Sequence, residues 1–532
     1  MTKYVFVTGG VVSGLGKGIT ASSLALLLKS RGYKVFMQKF DPYINVDPGT
    51  MNPIQHGEVY VTYDGCETDL DLGHYERFID EELNYTSNIT SGKIFASVIE
   101  KERKGDYLGS TVQMIPHVTN EIKNRIYEAG ITSKADIVIT EIGGTVGDIE
   151  SQAFIEALRQ VQYEKGENNT FFVHTTLIPY IFGSNELKTK PTQNSVKDLR
   201  NMGIKPNALV CRTPFSTSQS IKEKLSLFCS IPIDNIIDAV DVNDIYQIPI
   251  NFYNQHIDER ILLQFDLPVK KAKIKYWKDL IHTVEHLDKE IEIALVGKYV
   301  ELHDAYLSVK ESLYHAGYKY NAKININWID SETLEDSKVD LKKVFKKSKG
   351  IIVPGGFGSR GIEGKINAIT YARENNIPFL GLCLGMQLAV IEFARNVCNI
   401  EDASSTEFNP VCKNPIIDLM SDQKSIINMG GTLRLGNYEC TIKKDSLAYE
   451  DYKETKILER HRHRYEFNNK YKKILEDNGM EFTGINKPSE LVEIIELPKH
   501  KHFIACQFHP EFKSRPTKPH PLFDSFIKAS LK

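Results

Sequence analysis

Residues 4–29, YVFVTGGVVSGLGKGITASSLALLLK, decide the fold. Tyr4–Val7 is an apolar run of strand length that stops at a glycine-rich turn, with five glycines between residues 9 and 18. Thr20–Lys29 has helical character, and Lys34–Met37 opens a second apolar run. Strand, glycine turn, helix and strand make the unit from which parallel α/β sheets are built. The turn also suits an anion. Glycines let successive N–H groups point inward, the helix N-terminus adds positive potential, and a lysine there reaches outer phosphates. Gly16-Lys17 fits the core of a P-loop imperfectly: the first glycine of GxxxxGK[ST] would fall at Val11, and Gly18 replaces the hydroxyl residue that usually holds magnesium.

Without that hydroxyl, carboxylates must supply more of the hard oxygen that magnesium prefers. ETDLDLGHYERF (67–78) places Glu67, Asp69 and Asp71 at alternate positions, which on an extended strand share one face. TEIGGTVGDIES (140–151) puts Glu141 at the end of the apolar run Asp136–Thr140, where ligands collect in open α/β sheets. Lys39 ends the second run, where a cation neutralises a transferring phosphoryl group. GSNELKTKPTQNSVKDLR (183–200) mixes Lys188, Lys190, Thr189, Thr192 and Gln193 around Pro191, a composition suited to a second polyanionic ligand.

Further strands are predicted at Thr170–Thr176 and Ala208–Cys211. The rhythm breaks near Leu267, where Pro268 precedes a basic stretch and an amphipathic helix in KKAKIKYWKDLIHTVEHLDKE (270–290). A second series follows: Ile291–Val296, Ile324–Trp328, Gly350–Val353, Phe379–Leu382 and Phe503–Phe508. The expectation is two α/β domains, about 1–267 and 291–532, joined by 268–290, with no internal repeat. In KVDLKKVFKKSKG (338–350) the lysines read as a solvated face, and Val339, Leu341, Val344 and Phe345 as a buried helix face. The length of 532 residues is ample for such cores. The net charge of −3 argues against a dedicated nucleic-acid binder. Eight cysteines without a CxxC pair exclude a disulfide scaffold and a cysteine-rich zinc site. With no export signal and no apolar run of bilayer length, a cytoplasmic protein is expected.

IPFLGLCLGMQLAVIEF (377–393) is the most specific local signal. A buried run meets Gly381, Cys383 and Gly385, and a helix follows. Such an elbow exposes a thiol at a helix N-terminus, beside N–H groups able to hold an oxyanion. Cys211, Cys398 and Cys506 read as inert core cysteines. In CQFHPEF (506–512), His509 is the candidate base and Glu511 its orienting acid. VPGGFGSRG (353–361) adds a second source of oxyanion donors. In this order the three motifs read as a glutamine-hydrolysing site.

GGVVSGLGKG (9–18), LDLGHYERF (70–78), EIGGTVGDIES (141–151), KTKPTQ (188–193), GLCLGMQ (381–387), STEF (405–408), RHRHRYE (460–466) and FHPEF (508–512) carry a resemblance that runs nearly end to end. The second half resembles class I glutamine amidotransferases, and the whole chain resembles the CTP synthase family. The resemblance implies an N-terminal P-loop, dethiobiotin-synthetase-like parallel sheet and a C-terminal class I amidotransferase domain. It implies that UTP, ATP and glutamine give CTP, ADP, phosphate and glutamate through phosphorylation of O4 of UTP. It places ATP on Gly14, Leu15, Gly16, Lys17, Gly18 and Ile19, with Lys17 and Lys39 on its phosphates and Val242 at adenine. Magnesium, the implied metal, would sit on Asp71 and Glu141; no organic prosthetic group is implied. UTP would take Ser13, Lys188, Thr189, Lys190, Pro191, Thr192, Gln193 and Lys224, and inhibitory CTP an overlapping site with Asp148, Ile149 and Glu150. Glutamine and its oxyanion would be held by Gly356, Leu384, Gly385, Met386 and Gln387, and its charged groups by Glu407 and Arg464. GTP is the implied activator, with Arg360 as its contact. The implied assembly is a homotetramer, compatible with filaments, without nucleic acid or membrane. The nearest rival is an amidotransferase acting on carboxylates, such as a cobyrinic acid amidase, in which LDLGHYERF and KTKPTQ are not expected. A partition-type ATPase would carry lysine at Thr8 and lack the thiol half.

Overall fold

Strand β1 (Lys3–Gly9) is buried along almost its whole length, and its neighbours are apolar on both faces, which is the signature of an interior parallel strand. The computed structural model describes residues 1–419 and 433–532. These fall into two compact units: Met1–Asp47 with Asp71–Ile281, and Pro48–Leu70 with His282–Lys532.

In the first unit β1 is joined by β2 (Val35–Asp41), β3 (Asn88–Thr90), β4 (Ile137–Ile142), β5 (Thr170–Leu177), β6 (Ala208–Thr213) and β7 (Ile236–Val240). All pairs are parallel, in the order β7–β6–β5–β1–β4–β2–β3. The register sets Glu141 beside Val7 on one side and Lys39 on the other, so two charged side chains meet at one level of the sheet. Helix α1 (Lys17–Ser30) returns the chain from β1, with Leu24, Leu26, Leu27 and Leu28 buried. Phe6 packs on Phe172 and Phe40 on Phe154, with ring centroids 5.1 and 5.3 Å apart. The amphipathic stretch after Leu267 forms α4 (Lys275–Glu285), following α2 (Asp71–Ile79) and α3 (Lys190–Asn201) in the chain. Trp277 of α4 is buried and donates its indole N–H to the Tyr246 carbonyl at 2.8 Å.

The second unit holds a nine-stranded sheet built from β8 (Lys289–Gly297), β9 (Ala322–Asp330), β10 (Ser348–Val353), β11 (Phe379–Leu382), β12 (Arg434–Ile442), β13 (Lys456–His463), β14 (Glu481–Asn486), β15 (Leu491–Glu496) and β16 (Phe503–Cys506). The order is β9–β8–β10–β11–β16–β15–β14–β12–β13. The first five strands are parallel, and the rest continue antiparallel from β16. Phe345 is buried in this unit's core with Val339, Leu341 and Val344 packed partly against it, although the helix there is only Leu341–Val344. Residues 48–70, which lie in sequence between β2 and β3, pack as part of this second unit. Tyr60 donates to the Phe512 carbonyl at 2.8 Å, and Arg460 to the Val61 carbonyl at 3.1 Å.

One expectation is corrected. Glu67, Asp69 and Asp71 do not share a strand face: only Glu67–Thr68 is extended, and Asp71 is the first residue of α2. Among the described residues no helix is long and apolar enough to cross a membrane.

Candidate active sites

In the second unit three adjacent parallel strands, β10, β11 and β16, deliver their carboxyl ends to one place. β11 leads into α6 (Leu384–Asn396) through Cys383, whose φ of 50° and ψ of −101° lie where a side chain is strained. The elbow is enforced by close packing. A Cβ on Gly385 would lie 2.1 Å from the Val353 carbonyl oxygen, and one on Gly381 2.9 Å from the Ala505 Cβ. The Cys383 amide is tied to the Cys506 carbonyl at 2.7 Å, while the thiol meets the Gln507 Nε2 at 3.7 Å. Beyond β16, His509 places Nδ1 2.7 Å from Glu511 Oε1. His509 Nε2 is buried, and the ring interacts with the Cys383 thiol as well as with Glu511. A Cβ on Gly355 would lie 2.9 Å from His509 Cε1 and 3.6 Å from Cys383 Cβ, so the PGG turn after β10 closes over thiol and base. The whole faces a cavity of about 510 Å³, lined in part by Gly356, Cys383, Glu407, Arg464 and His509. Glu407 accepts the Gly358 N–H at 2.7 Å, and Gln387 donates to the Tyr465 carbonyl at 3.0 Å.

Burial works against a charged imidazole, but the Glu511 carboxylate and Cys383 outweigh it and lift His509 to about 10. The folded value is above the ordinary 6.5, so the protonated form favours folding. That stabilisation is complete below about pH 6.5 and is lost as pH rises through about 10. Thermal melts of the wild type and His509→Gln should therefore converge as pH rises across this window. A gap that widens instead contradicts the ion pair.

In the first unit Gly16 caps α1 at φ 84°, with no side-chain cap on the helix. Lys17 reaches back to donate to the Gly144 carbonyl at 2.6 Å, and burial lowers its affinity for the proton. Gly18 faces acids: a Cβ there would lie 2.3 Å from Asp71 Oδ1 and 3.4 Å from Glu141 Oε2. These carboxylates occupy the space that a hydroxyl residue would fill. Lys39 bonds Asp71 and lies 3.2 Å from Glu141 Oε1, and Tyr75 donates its hydroxyl to Glu141. Burial raises Glu141, while at Asp71 the cations Lys39 and Lys17 overcome burial and hold the carboxyl down. Restoring the consensus hydroxyl should consequently harm the protein. Gly18→Ser is expected to lower ATP-dependent kcat/KM by about 10-fold or more, because the added atoms displace Asp71. Steady-state kinetics with varied ATP check this, and a gain in activity would sink it.

The structure brings Lys17, Gly18, Lys39, Asp71 and Glu141 together, as it does Cys383, His509, Glu511 and Gly356. Thr189 is buried, Thr192 donates to the Leu177 carbonyl at 3.0 Å, and Gln193 donates to Thr189 Oγ1 at 3.0 Å. Lys190 and Pro191 open α3 and line a groove of about 350 Å³ with Val11 and Val146. Ser13, Asp148, Ile149, Glu150, Lys188 and Lys224 are exposed, and Val242 lies in the loop after β7.

Two family models match this chain: the CTP synthase N-terminus over residues 3–267 and glutamine amidotransferase class-I over 301–529. The CTP synthase of Caldanaerobacter subterraneus subsp. tengcongensis is 57% identical over 531 residues, covering 100% of this chain and 98% of the relative. That of Halalkalibacterium halodurans is 59% identical over 533 residues, covering 100% and 99%. The chain belongs to the CTP synthase family. A solved Trypanosoma brucei CTPS glutaminase domain with bound acivicin is 39% identical, covers 45% of this chain and 94% of its own, and has a TM-score of 0.43.

Some neighbours of these CTP synthase motifs escape sequence reasoning. His174, buried in β5, joins Thr8 Oγ1 at 2.9 Å to Ser195 Oγ at 2.8 Å, next to the glycine loop. Burial pushes it down to about 3, so it is neutral. A histidine inside the apolar run FFVHTT is the one signal that marked it. Lys298 and Lys365 stand behind the PGG turn. The trace of Lys365 in the sequence is a lysine on the apolar helix face of Ile362, Ile366 and Ile369.

Proposed function

We propose that this protein converts UTP to CTP with ATP, taking nitrogen from glutamine or from free ammonia. The observation that carries the reading is a strained Cys383 elbow, facing a His509–Glu511 pair, on the same chain as a glycine loop with a paired acid site at Asp71 and Glu141. The carbonyl oxygen of a uracil ring is a poor leaving group, and a phosphoryl group makes it a good one. Ammonium is not a nucleophile, so releasing ammonia away from bulk water avoids both protonation and dilution.

In the second unit Cys383 attacks the side-chain carbonyl of glutamine. His509 holds the thiol proton at Nε2 and delivers it to the departing ammonia, while Glu511 fixes the ring through Nδ1. Gly356, Leu384, Gly385, Met386 and Gln387 hold glutamine and its oxyanion. Glu407 takes the amino group and the Arg464 fork the carboxylate. In the first unit Gly14, Leu15, Gly16, Lys17, Gly18 and Ile19 hold ATP, and Val242 touches adenine. Lys17 and Lys39 meet the charge that moves with the phosphoryl group. Asp71 and Glu141 fit Mg²⁺: they are hard oxygen donors facing one space, and the Lys39 ammonium already draws to both. When bound with ATP, Mg²⁺ neutralises phosphate charge. UTP takes Ser13, Lys224 and the loop of Lys188, Thr189, Lys190, Pro191, Thr192 and Gln193. CTP inhibits at an overlapping site with Asp148, Ile149 and Glu150, and GTP activates through a contact with Arg360. A cytoplasmic homotetramer completes the reading, and light scattering with and without nucleotides tests for filaments.

The test is an absorbance assay for CTP from UTP and ATP, run with glutamine and again with ammonium. CTP is expected in both. No consumption of UTP with either nitrogen source would overturn the reading.

A further inference from the structure

Lys365 lies in the first turn of α5 (Ile362–Glu374), is 0% exposed, and its ammonium has no hydrogen-bond partner among the described residues. A cation kept from water without a partner is destabilising, so a lysine here calls for a reason. A leucine or methionine would fill the same volume beside Ile362, Ile366 and Ile369 without that cost.

The reason lies in what the ammonium faces. A Cβ on Gly356 would lie 3.8 Å from Lys365 Nζ, 3.5 Å from Lys298 Cε and 3.6 Å from Leu384 Cδ2. The preceding glycine looks the other way: a Cβ on Gly355 would meet His509 and Cys383. A wall of bare glycine backbone therefore separates the reacting thiol and imidazole from two lysines. The charges around Lys365 are Lys298, Arg360, Cys383 and Glu407. Arg360 is engaged by Glu332 at 3.2 Å, and Glu407 by the Gly358 amide. Lys298 donates to the Gly358 carbonyl at 3.5 Å and lies over the Tyr299 ring at 5.3 Å, with no salt bridge among the described residues. Cations exceed the carboxylates left to balance them, a local field that suits an anion formed during reaction.

We infer that Lys365 is a positioning residue of the glutaminase, whose ammonium, set behind the Gly355–Gly356 turn, stabilises the negative charge that develops at Cys383 and the glutamine carbonyl oxygen. This rests on the reading of Cys383 as the nucleophile. The ammonium acts through the glycine wall and touches no substrate atom. Burial, with Lys298 and Arg360, brings Lys365 down to about 7, so a nearby anion has ample room to hold it protonated.

The experiment uses the full chain with Lys365→Met, Lys365→Arg and, should the methionine variant not accumulate, Lys365→Gln. Glutamine hydrolysis gives kcat and KM. Alkylation of Cys383 by iodoacetamide across pH reports the thiol's titration, and ammonia-driven CTP formation confirms folding. The neutral variants are expected to lose about 10- to 100-fold in glutaminase kcat with KM nearly unchanged. Their alkylation midpoint should move up by about one pH unit, and arginine should recover most of kcat. A purely structural lysine would not move the alkylation midpoint. Wild-type kcat with an unmoved midpoint in the neutral variants overturns the inference. So does equal loss in the arginine and methionine variants with the midpoint unmoved. A wild type that hydrolyses no glutamine fails the nucleophile reading itself, which separates the two.

Discussion

Cys383→Ala is expected to lose glutamine-driven CTP formation by about 10³-fold or more while ammonia-driven formation continues at the wild-type level. The nearest strand neighbour with a thiol, Cys506, is no substitute. Cys506 is paired in register with Leu382 on the neighbouring strand, but it is buried and burial pushes its thiol well up. The Cys383 backbone sits at a positive φ that alanine tolerates as poorly as cysteine does, so the fold loses only one sulfur atom. Assays with each nitrogen source, on one preparation, measure the split. Equal loss with both sources would refute two separable sites.

Lys17→Ala is expected to abolish CTP formation with glutamine and with ammonia alike, by about 10²-fold or more, while some glutamine hydrolysis survives. The lysine opens α1 under the Gly16 cap, and its stem packs against the Cα of Gly9. Its ammonium is held at the Gly144 carbonyl, near Glu141 and Asp71. Without it the outer phosphates lose a cation, and the acids lose a countercharge that Lys39 alone must replace. Retained CTP synthesis in this variant would remove the glycine loop from the mechanism.

The parts of this architecture legible in the sequence are those where local chemistry and tertiary position coincide. Gly16 and Gly385 are such places, because a left-handed cap favours glycine and a carbonyl 2.1 Å from a would-be Cβ leaves no room for a side chain. Buried parallel strands such as Phe379–Leu382 stand out as unbroken apolar runs. Arg434–Ile442 and Lys456–His463 do not. Buried Arg434, Arg460, His461 and His463 interrupt them, and ion pairs such as Arg434 with Glu466 and Glu493 satisfy what hydrophobicity would miss. Alternating acids at 67–71 suggested a strand, but a helix start claims Asp71 and turns its carboxylate to Gly18. Lys365 and His174 were hidden for the opposite reason: each is one polar residue in an apolar pattern, and only the fold reveals what it faces.

Residues 48–70 have a practical consequence for anyone cutting this gene. Because the polypeptide leaves the first unit after Asp47 and re-enters it at Asp71, its path is stitched across the boundary three times rather than once. A fragment starting at 291 would be a truncation, not a module. It would arrive without Tyr60 and Glu67, so that the Phe512 carbonyl would keep Arg515 but lose its tyrosine donor, and the Arg462 guanidinium would lose its carboxylate, at the edge of the thiol cavity.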